Sequence, residues 1–181
     1  MKGVIFNIAE NYIIEKHGYE TLKEIVTACS LETKEPFVGP NTYPDADLLE
    51  IVGKAVEILK TDLGSFLKSL GHYSFRQLSD RHPNFVEGYT HPKDFLLTVE
   101  GVIHMEVRKL YEESKLPTFQ YQDLGENEMI VTYFSERKLY PFVDGLIDGV
   151  VDYFGYKAEK KSTIYEKDGV ELCDFHIKFS A

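Results

Sequence analysis

The sequence predicts an α+β fold, with a helical N-terminal part, a C-terminal part built on an antiparallel sheet and a long helix, and a ligand cleft between them. Three observations lead there. Apolar residues recur at helical spacing through the first half. After Pro117, β-forming residues flank Gly-containing turns. No linker or low-complexity tract separates the two regions, so the chain reads as a single domain over 1–181, with a helical subdomain at about 1–65 and a sheet-bearing part at about 66–181. A length of 181 residues with 43% hydrophobic and 13% aromatic content is enough to fill one core.

From Tyr19 to Cys29, Leu22, Ile25 and Val26 recur at three- and four-residue steps, the mark of a helix with one buried face. Asp45 to Leu59 repeats the pattern with Leu48, Ile51, Val52, Ala55 and Ile58. Phe66, Leu67 and Leu70 continue it up to Gly71, a candidate helix stop. A helix from about Lys93 to Lys115 is expected to bury Leu96, Val99, Ile103, Val107 and Leu110, and it must finish near Leu116 because the residue before a proline resists helical dihedrals. Phe119–Gln122 and Met129–Phe134 around Gly125-Glu126-Asn127 predict a hairpin. Leu139, Phe142, Val143, Leu146, Ile147, Val150 and Phe154 then share one helical face, closed by Gly155. Ser162 to Phe179, with Asp168-Gly169 at its centre, predicts a second hairpin.

With 20 Lys and Arg against 30 Asp and Glu, the chain carries a net charge of −10 that repels a phosphate backbone, which excludes nucleic acid as a partner class. The start Met1-Lys2-Gly3-Val4-Ile5-Phe6-Asn7 is followed early by Glu10 and Glu15, so neither a signal sequence nor a membrane span is expected, and the protein is expected in the cytoplasm. Cys29 and Cys173 form no CxxC motif and read as reduced thiols. No nucleophile is paired with a base and no phosphate loop is present, so the protein is not expected to be an enzyme.

Tyr133, Ser135 and Arg137 alternate at a strand end, and if the strand persists their three donors face one side. An arginine fork with two hydroxyls suits a ligand bearing acid groups; a solvated strand end is the other reading. His104 falls beside the apolar stripe of its helix, with Gly101 one turn earlier. A neutral imidazole there is a good iron ligand, and a small neighbour would let a flat macrocycle approach. A hydrogen-bonded core histidine is the alternative.

His104, Pro117 and Tyr133-x-Ser135-x-Arg137 occur together, in this order and spacing, behind the Met1–Asn7 start. In this the chain resembles the H-NOX (haem nitric oxide/oxygen binding) family, of the stand-alone bacterial type related to the haem domain of soluble guanylate cyclase, over its whole length. The resemblance implies haem b in the cleft and His104 as the proximal iron ligand. It also implies that Tyr133, Ser135 and Arg137 hold the propionates, that Pro117 presses on the porphyrin, and that Ile5 lines the pocket. Asp45 stands where some members place an acidic partner for the arginine, with a helix N-cap as its competing role.

Oxygen-binding members place a tyrosine hydroxyl five residues after the triplet's arginine, and here that position is Phe142. A sensor of nitric oxide and carbon monoxide is therefore expected; Tyr140, at the opposite edge of the same helical stripe, is the residue that could reverse this and give an oxygen binder. The resemblance further implies that nitric oxide weakens or breaks the iron–His104 bond. With no output domain in the sequence, a separate histidine kinase or cyclic-di-GMP enzyme would read the change. Cys173 with His176 is too small a set for the zinc site of some relatives. Two rivals stand beside this reading: a metal-dependent hydrolase using His82, His91 and Asp94, and a haem-free interaction module. His17 and His72 are expected at the surface or in loops.

Overall fold

The computed structural model describes residues 1–111 and 114–181. Four helices come first: α1 (Gly3–His17), α2 (Tyr19–Thr27), α3 (Asp45–Leu59) and α4 (Leu63–Arg81). Of the periodic residues, α2 buries Leu22 and Ile25 but leaves Val26 exposed, and α3 buries Leu48, Ile51, Val52 and Ala55. Helix α1 was not anticipated from periodicity. Besides the buried face of Phe6, Ile8, Ala9, Tyr12 and Ile13, the opposite side carries partly buried Val4 and Ile14, so the sequence shows no single stripe.

Helix α4 does not stop at Gly71. A Cβ there would lie 2.0 Å from the Phe142 carbonyl oxygen, so the glycine serves the close approach of a second helix and not a terminus. His72 is consequently helical; it is exposed and its Nε2 meets Asp152 at 2.7 Å.

The helix expected over Lys93–Lys115 is present in three pieces. It runs as α5 (Pro92–Thr98), a π-helical turn (Val99–His104) and α6 (Met105–Leu110). It ends sooner than expected, at Leu110, which is 72% exposed and not buried as its spacing predicted: the apolar face that supports the helix has run out. Residues 112 and 113 of the expected helix lie outside the described residues, and 114–117 are not helical.

The sheet comprises β1 (Thr118–Gly125), β2 (Glu128–Phe134), β3 (Lys157–Lys167) and β4 (Val170–Ser180), with α7 (Tyr140–Tyr153) between the hairpins. The strand order is β1-β2-β4-β3, and every pairing is antiparallel. Alternation turns Met129, Val131 and Tyr133 inward opposite Ile177, Phe175 and Cys173. Strand β3 starts at Lys157, ahead of the expected Ser162. A lysine at the inward position 160 disguised the alternation; its Nζ meets Asp144 Oδ1 at 2.5 Å and Asp148 Oδ1 at 2.6 Å, which satisfies the charge. At the turn, Asp168 and Gly169 both take positive φ, 53° and 76°, as a type I′ hairpin requires.

The buried residues form two clusters. One joins α1, α2 and α3 to Phe66, Leu67 and Leu70 of α4. The other joins Phe75 of α4, α5 and α7 to the inner face of the sheet. Among the described residues no helix is long and apolar enough to cross a membrane.

Candidate functional site

Residues 114–117, between α6 and β1, touch two of the predicted site residues: the Lys115 carbonyl accepts from Arg137 and the Pro117 backbone lies beside His104. His104 closes the π-helical turn, and its side chain is 13% exposed. Its Nδ1 stands 3.0 Å from Glu100 Oε2, one helical turn back. Burial pushes the imidazole pKa down, against the Glu100 carboxylate and the Pro117 backbone, which raise it. The neutral form with Nδ1–H donated to the carboxylate leaves the Nε2 lone pair as a metal donor. A Cβ on Gly101 would meet nothing within 4 Å, so no other side chain or backbone occupies the helix surface one turn before His104.

The Phe119 ring, 5.5 Å from His104, also stands 5.6 Å from the Tyr133 ring, linking the helix to the strand that carries the triplet. Here the structure corrects one expectation. The strand ends at Phe134, so Ser135 and Arg137 are gathered by a turn and not by strand alternation. Ser135 Oγ accepts the Arg137 amide at 3.2 Å, a local side-chain turn. Tyr133 and Ser135 are buried; burial raises the Tyr133 pKa, while the Ser135 hydroxyl and the Leu139 backbone amide, donating to its phenol oxygen, act to lower it.

Arg137 reaches across to the helical part. Its Nε donates to Asp45 Oδ2 at 2.6 Å, Nη2 to Asp45 Oδ1 at 3.2 Å, and Nη1 to the Lys115 carbonyl at 2.6 Å. One hydrogen on each terminal nitrogen is left for a ligand. Asp45 is the first residue of α3 and makes no N-cap; its Oδ1 also takes the Met1 amino group at 2.5 Å. Burial acts to raise the Asp45 pKa, but Arg137 and the amino group outweigh it and hold it below the ordinary 3.8. A carboxylate with a lowered pKa stabilises the fold above its ordinary range, and that contribution disappears as pH falls through the lowered value. Asp45→Asn is expected to cost roughly 1 kcal/mol or less at neutral pH, since water screens the pair, and to cost nothing in acid; urea unfolding at both pH values checks this.

Ile5 and Phe142 lie on the helical side: both are partly buried against the helical cluster. Tyr140 and Phe142 part company. The Tyr140 hydroxyl donates to Glu171 Oε1 at 2.5 Å and its ring packs on Tyr133, on the sheet side, whereas Phe142 packs with the helices. Pro117 is half-buried beside His104. The clearest surface hollows, each about 380 Å³, lie elsewhere, at the β1–β2 turn and between Asp62 and Phe175. The polar groups of the site are turned onto one another.

His82, His91 and Asp94 are not brought together. His91 Nδ1 caps α5 through the Lys93 amide while its Nε2 meets Asn127, and the His82 ring packs on Phe85. Among the described residues no group of three or more His, Cys, Asp or Glu converges on a metal position. Cys173 faces the core, and His176, in contact with Glu128, lies on the other face of β4. Glu100 was missed by sequence reasoning, although its i,i+4 spacing from His104 on a predicted helix was a usable signal.

A comparison with curated protein sequences found no match. The family model described as haem-NO-binding matches residues 2–162. Among solved structures, an unliganded Fe(II) H-NOX protein from K. algicida is similar, at 27% identity and a TM-score of 0.89, covering 100% of this chain and 97% of that one. An H-NOX protein from S. oneidensis in the Fe(II)NO state gives 26% identity, a TM-score of 0.90 and full coverage of both chains. The I5F mutant of the T. tengcongensis H-NOX, at 20% identity, TM-score 0.89 and 98% of its own length, shares the fold. The chain belongs to the haem-NO-binding, or H-NOX, family, whose cofactor is haem.

Proposed function

We propose that residues 1–181 act as one cytoplasmic sensor unit that binds haem b through His104, responds to nitric oxide and carbon monoxide in preference to dioxygen, and regulates a separate signalling protein. The observation that carries the reading is the largely buried His104, its Nδ1 committed to Glu100, with unoccupied space at Gly101 one turn before it. The donor set fits the cofactor. Tyr133, Ser135 and the free hydrogens of Arg137 match two propionates, and Asp45 holds the guanidinium in register from α3. Bound haem would supply an iron with one open coordination position for a diatomic gas. Pro117 and Ile5 would shape the pocket on the two sides of the junction.

Selectivity rests on Phe142. It offers no hydroxyl to dioxygen, which needs a donor for its partly negative end, whereas nitric oxide and carbon monoxide need such help far less. The nearest phenol in sequence, Tyr140, is held by Glu171 on the sheet side, which supports the same reading. Arg137 and Asp45 span the two parts of the chain, so movement of His104 and its helix can be passed to α3 and the surface. A histidine kinase or a cyclic-di-GMP enzyme suits such an output.

The test is the absorption spectrum of the reduced protein, first without ligand, then with nitric oxide, then in air. A Soret band that shifts with nitric oxide and ignores air supports the reading; an oxygen-complex spectrum in air overturns the selectivity, and absence of haem overturns the whole. In Phe142→Tyr, the added hydroxyl is expected to raise dioxygen affinity by roughly ten-fold, the effect of about one hydrogen bond, read as an oxygen-complex spectrum at raised oxygen pressure.

A further inference from the structure

We propose that Glu100 is a positioning residue that sets the strength of the His104–iron bond, with Arg108 as its counterweight; the proposal rests on the haem reading above. The Glu100 carboxylate divides its two oxygens between opposing tasks. Oε2 accepts the His104 Nδ1–H at 3.0 Å and the Phe119 amide at 3.2 Å. Oε1 accepts Arg108 Nη2 at 2.5 Å. The Glu100 amide is itself tied to the Tyr121 hydroxyl at 3.3 Å, so both its backbone and its carboxylate are anchored to β1. A side chain held at both ends presents its oxygen to the imidazole in one geometry.

A carboxylate that accepts the Nδ1 proton fixes the tautomer, orients the ring and makes Nε2 a more electron-rich ligand than a neutral acceptor would. The guanidinium on the other oxygen draws charge away from Oε2 and moderates that effect. Glu100 and His104 are 23% and 13% exposed, so water screens their contact little, while Arg108 at 42% is the accessible member. Both Glu100 and His104 sit in the π-helical turn, a deformation that often marks functional segments of helices. A structural tie between helix and strand would need only the Phe119 bond; the Nδ1 contact goes further and tunes the ligand.

Resonance Raman spectra of the reduced, ligand-free holoprotein read the iron–histidine stretch directly. Glu100→Gln keeps an acceptor but loses the charge, and its stretch is expected to fall below wild type. Arg108→Met removes the counterweight, and its stretch is expected to rise. Haem transfer to apomyoglobin is expected to quicken by roughly 10- to 100-fold in Glu100→Ala, the usual cost of losing an outer partner of a metal ligand, and Glu100→Gln should restore part of it. Stretches that match wild type in both Glu100→Gln and Arg108→Met overturn the proposal while leaving the haem reading intact. If Glu100→Gln fails to load haem, the direction of the Arg108→Met shift decides alone. A wild-type protein without haem overturns the functional reading itself, so the two failures are distinguishable.

Discussion

In the His104→Gly variant, the purified reduced protein is expected to lose its Soret band, and free imidazole in the buffer is expected to restore it. Tyr133, Ser135 and Arg137 would still offer hydrogen bonds to the propionates, but each is worth only about 1–3 kcal/mol, and Arg137 already spends much of its capacity on Asp45 and Lys115. The iron bond is larger than any of these, so haem affinity should fall by more than the roughly 10- to 100-fold that loss of an outer partner costs. Glycine leaves an imidazole-sized gap beside Gly101, where added imidazole can bind. The fold should survive, because His104 lies outside both buried clusters. A variant that keeps its haem and spectrum would show that another group ligates the iron.

Much of this architecture was legible in local pattern. Helices α2, α3 and α7 and both hairpins follow from one apolar face each and from turn residues whose backbone angles few others adopt. What escaped did so for physical reasons. Helix α1 is packed on several sides, which erases the periodicity that marks a surface helix. Strand β3 hid its first residues behind Lys160, whose charge is satisfied by two aspartates that only the folded chain brings near. Gly71 looked like a stop because the sequence does not reveal that a second helix lies against it.

The site divides along the same line. The residue types were visible as a set, but their convergence depends on contacts that join distant segments: Arg137 with Asp45, Phe119 between His104 and Tyr133. Periodicity left Tyr140 and Phe142 equivalent; the Glu171 carboxylate, from β4, is what separates them. Glu100 is the converse case. Its spacing from His104 was readable, and only its bonds to β1 distinguish it from an ordinary exposed acid.

Gly145→Ala is expected to destabilise the protein by about 1–2 kcal/mol net, although alanine is the better helix former. An added Cβ would stand 1.9 Å from the Lys68 carbonyl oxygen, and at Gly71 2.0 Å from that of Phe142. The obstacle in each case is backbone, which cannot swing aside as a side chain does, so α4 and α7 must separate. Overpacking of this kind costs about 1–3 kcal/mol, occasionally more, and parting the helices also loosens Val143, Ile147 and Val150 in the core. Against this stands a gain of about 1 kcal/mol from replacing glycine within a helix. The steric cost wins. Gly53→Ala isolates the smaller effect: it lies inside α3, is exposed, and a Cβ there meets nothing within 4 Å, so stability should rise by up to about 1 kcal/mol. Urea unfolding of the three variants should therefore move Gly145→Ala and Gly71→Ala in one direction and Gly53→Ala in the other. A common upward shift would mean that propensity alone governs all three, and that α4 and α7 do not meet through their glycines.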